Sequence, residues 1–321
     1  MPRDASLPPI WQALAPRVHY VQRVNDTEFS ANCPACGGAK HADGEWPDRF
    51  RIFCDSHPTA WCRRCGHLLF PDKLDGDPPS AEDLERWRQE QEARELARKR
   101  SAELALANLR SERLWEQYHE QMDERARDYW LCRGVPRFYQ DWWQLGWCAS
   151  RRFYWNGEPF ITSTATIPLA DATSHIVSMK HRLQTFPDGA GKYRYDAAHL
   201  PHAPFLCNPD NALTGHVIAV EGEIKAMVTH ITLDDGKACV LGMPGLTPGP
   251  TTIDALANAD RITLIVDPGA RMGAWKLTGQ LGRERCRVLI PAQKIDDGIL
   301  ASKMDKHDLQ YLIRNALPVA A

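Results

Sequence analysis

The sequence predicts an α/β protein, of mixed α+β character overall, and three observations carry that expectation. Two short apolar runs rich in β-branched residues, 217–220 and 262–266, each stop at a carboxylate, Glu221 and Asp267, with glycine following within two residues. From about residue 214 onward, strand-like and helix-like stretches alternate in short repeats, the pattern of parallel β–α units. Near the N-terminus two C-x2-C pairs, Cys33/Cys36 and Cys62/Cys65, stand twenty-five residues apart.

A continuous apolar run bounded by turn residues reads as a strand buried on both faces, as in a parallel sheet. A carboxylate at the C-terminal end of such a strand faces the crevice where open α/β sheets bind ligands. Two neighbouring strands ending this way bring Glu221 and Asp267 together, an arrangement suited to a divalent metal and the phosphates it carries. The plainer alternative is a pair of ordinary strand-end turn residues. Around them, 237–241, 261–266 and 287–290 are expected as strands, and helices are expected to begin at Glu223, Thr251, Arg271 and Lys306.

The length of 321 residues is a prior of about two domains. No run approaches the ~20 apolar residues of a membrane span and nothing resembles a signal peptide, so a soluble cytoplasmic protein with no membrane partner is expected. The net charge of −2 provides no global basic field, so any nucleic-acid contact must be local. Ten cysteines in a chain this long are too sparse for a disulfide scaffold, and paired C-x2-C spacing favours a metal in a reducing compartment.

Taken in order, residues 1–30 show a proline-rich entry and a short helix around 10–14. The four cysteines then supply thiolates for a tetrahedral, structural Zn2+ site, because two-residue spacing lets both sulfurs of a knuckle reach one ion. Between the knuckles, 49–54 and 59–61 read as hairpin strands, which makes the region a zinc ribbon. Cys54 and His57 are near enough in sequence to replace a ligand, but read better as a strand residue and a turn residue. Arg49, Arg51, Arg63 and Arg64 interleave with Phe50, Phe53 and Trp61, which is either a face for single-stranded DNA or a solvated ribbon surface.

After a polar break, 80 to about 129 holds neither glycine nor proline and is dominated by Glu, Arg, Ala, Leu and Gln. It reads as one long solvated helix, or two, that serves as a spacer or packs on the core. Residues 160–169 and 175–183 follow as alternating strands. Lys180 and Arg182 share a strand face by the two-residue period. Lys192 follows the loop 185–191, whose 188–192 segment is too short for a P-loop and lacks the Ser/Thr after its lysine. Lys225 lies one helical turn past Glu221, either facing phosphates or on the surface.

Val220-Glu221-Gly222-Glu223, a helix, and a later strand ending at Asp267 resemble the Toprim domain of primases and topoisomerases. Glu-Gly-Glu-Ile is most like phage and plasmid primases. The ribbon pattern Cys-Pro-x-Cys, then aromatic-Cys-x-x-Cys-Gly, resembles the N-terminal zinc ribbon of bacterial and phage primases, and 126–147 resembles the stretch that opens their catalytic core. The resemblance implies a zinc ribbon with its N-terminal segment over 1–75, a helical spacer over 76–128, the first part of a primase core over 129–213 and a Toprim domain over 214–321. The implied activity is DNA primase, synthesis of short RNA primers on single-stranded DNA from ribonucleoside triphosphates, with a replicative helicase supplied as a separate chain and a phage or mobile-element setting. Glu221, Asp267 and Asp308 are then catalytic. Mg2+ or Mn2+ is held by Glu221, Asp267, Asp305 and Asp308, and Lys180, Arg182, Lys192 and Lys225 bind nucleotide or template. The family carries Asp-x-Asp at the second strand end, whereas this chain has glycine at 269, and the acidic cluster 305–308 stands to compensate. Two other classes fit the same residues. One is a catalytically impaired DNA-binding or scaffold protein of the same fold, and the other is a Toprim nuclease or strand-transferase, which has no need of the ribbon.

Overall fold

Three sheets organise the protein, which the computed structural model describes for residues 6–37, 50–55, 58–62, 65–71, 81–197, 200–208, 213–233 and 239–319. The chain forms two units, Met1–Glu92 and Ala93–Ala321.

In the first unit a 3₁₀ helix, Pro9–Arg17, buries Trp11 and Leu14 completely. Its predicted position holds, but the following residues are strands, not a simple lead-in. β1 (Gln22–Arg23), β2 (Glu28–Ala31), β3 (Phe50–Phe53), β4 (Ala60–Cys62) and β5 (Leu68–Leu69) form one antiparallel sheet in that order. The expected β3–β4 hairpin is there, extended on both sides. A two-stranded hairpin is marginal alone, and three or more strands with an apolar face are needed. Here Phe29, Phe50, Ile52 and Ala60 pack under Trp11, whose indole Nε1 donates to the Phe53 carbonyl at 2.9 Å.

The glycine-free run forms α1 (Ala81–Ser111), inside which the two units divide. It does not continue to residue 129. Arg113 adopts a left-handed backbone, with φ 48°, and α2 (Leu114–Glu120) and α3 (Glu124–Leu131) follow as separate helices. The break has a packing cause. Leu109 and Tyr118 are both buried with Cys148, Met179 and Leu200, so this part of the run lies on a core instead of in solvent. Asp123 caps α3 by accepting from the Ala126 amide at 2.8 Å, an interaction worth ~1 kcal/mol. α4 (Arg137–Trp142) precedes an antiparallel sheet of β6 (Gly146–Trp155), β7 (Glu158–Ala170), β8 (Ile176–Leu183) and β9 (Tyr193–Tyr195), in chain order.

The remaining elements are β10 (Phe205–Leu206), β11 (Gly215–Glu221), α5 (Glu223–Leu233), β12 (Cys239–Met243), α6 (Pro250–Ala255), β13 (Ala259–Ile265), α7 (Arg271–Leu281), β14 (Cys286–Leu289), α8 (Ile295–Leu300), α9 (Lys306–Arg314) and β15 (Leu317–Pro318). The sheet runs β10-β12-β11-β13-β14-β15. Its four inner strands are parallel and the two short edge strands antiparallel. Pro318 sits on the edge strand, where its missing N–H breaks no ladder. Along β11, Ile218 and Val220 join one apolar cluster with α5, α8 and α9, while Val217 and Ala219 join another with α6 and α7. The strand is therefore covered on both faces, which is why its sequence is apolar without alternation.

Candidate functional site

In the first unit, the four cysteine sulfurs converge so that all lie within 4.8 Å of one another. Cys33 Sγ lies 3.7 Å from Cys65 Sγ, and Cys36 Sγ 3.8 Å from Cys62 Sγ. A tetrahedron with Zn–S bonds of ~2.3 Å has edges of ~3.8 Å, so the donor set and its spacing fit zinc directly. Gly37 and Gly66 each donate an amide N–H to the carbonyl four residues back, closing the two knuckles identically. Burial pushes the Cys33 thiol up to about 12, so its thiolate form calls for a cation beside it. Cys54 stands outside the cluster and one residue past the end of β3, not on the strand, and His57 lies outside the described residues. Only part of the anticipated basic-aromatic set falls among the described residues. Phe50 is core, and Arg51 pairs with Glu28 at 3.1 Å, whereas Trp61 remains exposed. Arg49, Arg63 and Arg64 lie outside the described residues.

In the second unit, β11 and β13 are hydrogen-bonded neighbours, and their carboxyl ends bring the predicted pair together. Glu221 Oε2 accepts the Asp267 backbone amide at 3.0 Å. Gly222, at φ 96°, turns the chain from β11 into α5, a conformation that disfavours any side chain. Gly242 on β12 lets α5 start that close, since a Cβ there would lie 2.9 Å from the Glu223 Cα. The Lys225 ammonium bonds Asp267 Oδ1 at 2.5 Å with its side chain only 15% exposed, which overturns the surface-lysine alternative.

The other predicted basic residues gather differently from one another. Lys180 is buried and gives its ammonium to Glu223 Oε1 at 2.6 Å, an ion pair that joins β8 to the start of α5. Arg182, on the same strand face, donates to the Tyr129 hydroxyl and lies over that ring, as does Arg133. Burial, and then the charges of Arg182, Lys294, Lys225 and Arg133, hold the Lys192 ammonium below the usual lysine range. Lys192 thus feels four other cations, one of which, Lys225, is the partner of Asp267. On the opposite face of β8, His181 Nε2 and Arg151 Nη1 meet Asp196 Oδ1 at 3.0 and 2.6 Å, and Tyr118 donates to the same oxygen at 3.2 Å.

Asp305 and Asp308 do not join Glu221 and Asp267. Among the described residues, no three carboxylates converge as the cysteines do. Both aspartates instead cap α9. Asp305 Oδ1 accepts the amides of His307 and Asp308 at 2.8 and 2.9 Å, and Asp308 Oδ2 accepts the Asp305 amide at 3.1 Å. Sequence reasoning passed over Glu223, Arg133 and Lys294-Ile295-Asp296-Asp297. The last group opens α8, five residues past the end of β14 at Leu289, and no carboxylate ends that strand to signal it. Asp296 is also notable for a buried Oδ1 with no hydrogen-bond partner.

A four-cysteine cluster on an antiparallel sheet, followed by a mixed sheet with acids at the carboxyl ends of its parallel strands, is the fold of bacterial primase cores, their zinc-binding and RNA polymerase domains. The Aquifex aeolicus primase fragment comprising those two domains superimposes with a TM-score of 0.51 at 16% identity, over 96% of this chain and 83% of that one. A DnaG primase catalytic domain bound to single-stranded DNA aligns at 0.51 and 14% identity, over 70% and 84%. The RNA polymerase domain of Mycobacterium tuberculosis DnaG aligns at 0.50 and 16%, over 66% and 83%. No family model matches the sequence, and none of the curated proteins does.

Proposed function

We propose that this protein is a DNA primase that builds short RNA primers from ribonucleoside triphosphates on a single-stranded DNA template. The observation that carries the reading is the Glu221–Asp267 pair at the ends of adjacent parallel strands, with Lys225 bonded to Asp267 and its charge, with those of Arg133, Arg182 and Lys294, acting on Lys192. Acids alone repel a triphosphate and cations alone hold it without reacting it, whereas the mixture suits a phosphoryl group carried on a metal. A carboxylate pair fits one Mg2+ or Mn2+, which characteristically takes one or two carboxylates together with substrate phosphates. When bound there, such an ion would stabilise charge on the attacking and leaving oxygens. Arg182 and Lys192 are assigned to phosphate. Lys180, neutralised by Glu223, is reassigned from direct phosphate binding to holding α5 in place.

The reading keeps a zinc ribbon with its N-terminal segment over 1–75, whose end lies outside the described residues, and a Toprim domain over 214–321, which the parallel strands β11 to β14 support. The segment 76–128 is then a spacer only in its first part, and 129–213 is the first part of the core. Single-stranded DNA as partner draws support from the DNA-bound DnaG domain, and a helicase on a separate chain follows from the same reading. No helix among the described residues is long and apolar enough to cross a membrane, in keeping with a cytoplasmic site of action.

Three observations favour a second reading, a scaffold of the same fold without catalysis. Glycine stands at 269, Asp305 and Asp308 are caps, and Asp267 is already paired with Lys225. Labelled ribonucleotides, single-stranded DNA and Mg2+ or Mn2+ separate the two. The primase reading expects template-dependent oligoribonucleotides that fall on the order of a hundredfold in Glu221→Gln, the scale of removing one electrostatic group from such a site. DNA binding with no product under either metal establishes the scaffold.

A further inference from the structure

We propose that Lys225 is a resident cation that closes Asp267 to a free divalent ion and releases it only to a triphosphate, so that metal and nucleotide enter the site together. The proposal rests on the primase reading of this edge and specifies how that edge is loaded.

The geometry is built for an internal counter-ion. Lys225 stands in the first turn of α5, and its ammonium meets Asp267 Oδ1 at 2.5 Å, with the two side chains 15% and 27% exposed. Its stem runs past Gly222, where an added Cβ would come within 3.1 Å of the Lys225 Cε, so the glycine that turns the chain also leaves room for the lysine. Glu221 Oε2 is engaged by the Asp267 amide, and no further carboxylate converges on the pair among the described residues. A bare divalent ion arriving here must displace an ammonium from its carboxylate. The ion and that ammonium also repel each other at such close range. A triphosphate reverses both terms. It offers the Lys225 ammonium phosphate oxygens in exchange for Asp267, screens its charge from the ion, and brings the oxygens that Mg2+ or Mn2+ prefers. The two ligands are then linked, each raising the affinity of the other. Where the family keeps a second aspartate this chain has Gly269, so Lys225 supplies as a fixed ammonium part of the positive charge that a second ion would bring.

The test is Mn2+ binding to the full, zinc-loaded chain, read by electron paramagnetic resonance and calorimetry without template, with and without a non-hydrolysable ribonucleoside triphosphate. Wild-type protein is expected to bind Mn2+ at this edge only with the nucleotide. Lys225→Met is expected to bind it without nucleotide, tighter than wild type by on the order of tenfold or more. Asp267→Asn in the Lys225→Met background should abolish the gain, which separates this site from adventitious ones. Lys225→Gln repeats the measurement with a polar side chain should the methionine variant fold poorly. Wild-type binding as tight as that of the variants without nucleotide overturns the proposal, as does a variant that gains nothing. Primer synthesis is a separate readout. Absence of templated product defeats the primase reading while leaving the Mn2+ result standing, and Mn2+ uptake indifferent to Lys225 defeats only this proposal.

Discussion

The cysteine cluster and the carboxylate edge are both assembled by β-strands, yet they hold charge in opposite ways. The first is four identical donors at one spacing, closed on itself, with its local turns repeated in each knuckle. The second is two acids already engaged, one by a backbone amide and one by a lysine. A closed thiolate site binds its ion by itself and contributes to folding. The contrast separates a set of four like donors from a pair of acids whose charge the protein itself already balances in part.

The largest expected effect breaks the first site. Cys62→Ser should reduce bound zinc from one equivalent to none by mass spectrometry and expose the first unit to proteolysis, since structural zinc supplies about 10 kcal/mol or more of folding free energy. Next comes the buried ion pair that supports the second site. Lys180→Met strands the Glu223 carboxylate, whose Oε2 already has no partner, and should cost ~3–5 kcal/mol in urea unfolding. Lys180→Met combined with Glu223→Leu should recover most of that loss, and a double variant no better than the single would show that the pair is not the cause.

Acid tests the start of β11. At the amino end, burial and then Arg261 push His216 down to about 4 from its ordinary 6.5, and His216 Nε2 shares a hydrogen bond with Thr263 Oγ1 at 2.8 Å. The unfolded chain therefore binds a proton more readily than the folded one, and stability falls as pH drops from about 6.5 toward about 4. Urea melts across that window should show the slope, and His216→Gln should flatten it. The smallest effect is expected at α9. Asp305→Ala removes a cap and should lower the melting temperature slightly while primer yield stays at the wild-type level. A collapse of yield instead would return Asp305 to the metal site.

The zinc ligands, the parallel sheet and the Glu221–Asp267 meeting were legible because each depends on short-range rules. A two-residue knuckle, an apolar run covered on both faces and a strand-end carboxylate are all written within a few residues. Whether the helical run stayed solvated or packed on the core was left open by the sequence, because composition reports helix propensity but not which turn must lie on a core, and burial of Leu109 and Tyr118 decided that. Asp305 and Asp308 were misplaced for a related reason. An acidic pair spaced three apart before an apolar helix is equally a capping box, and only the fold chose between cap and ligand. By itself the sequence determined which residues carry charge and which strands end in acid. The partners of Lys180 and Lys225 were decided by tertiary structure alone, because each partner lies some forty residues away and an ion pair's strength depends on distance and burial, neither of which is encoded locally.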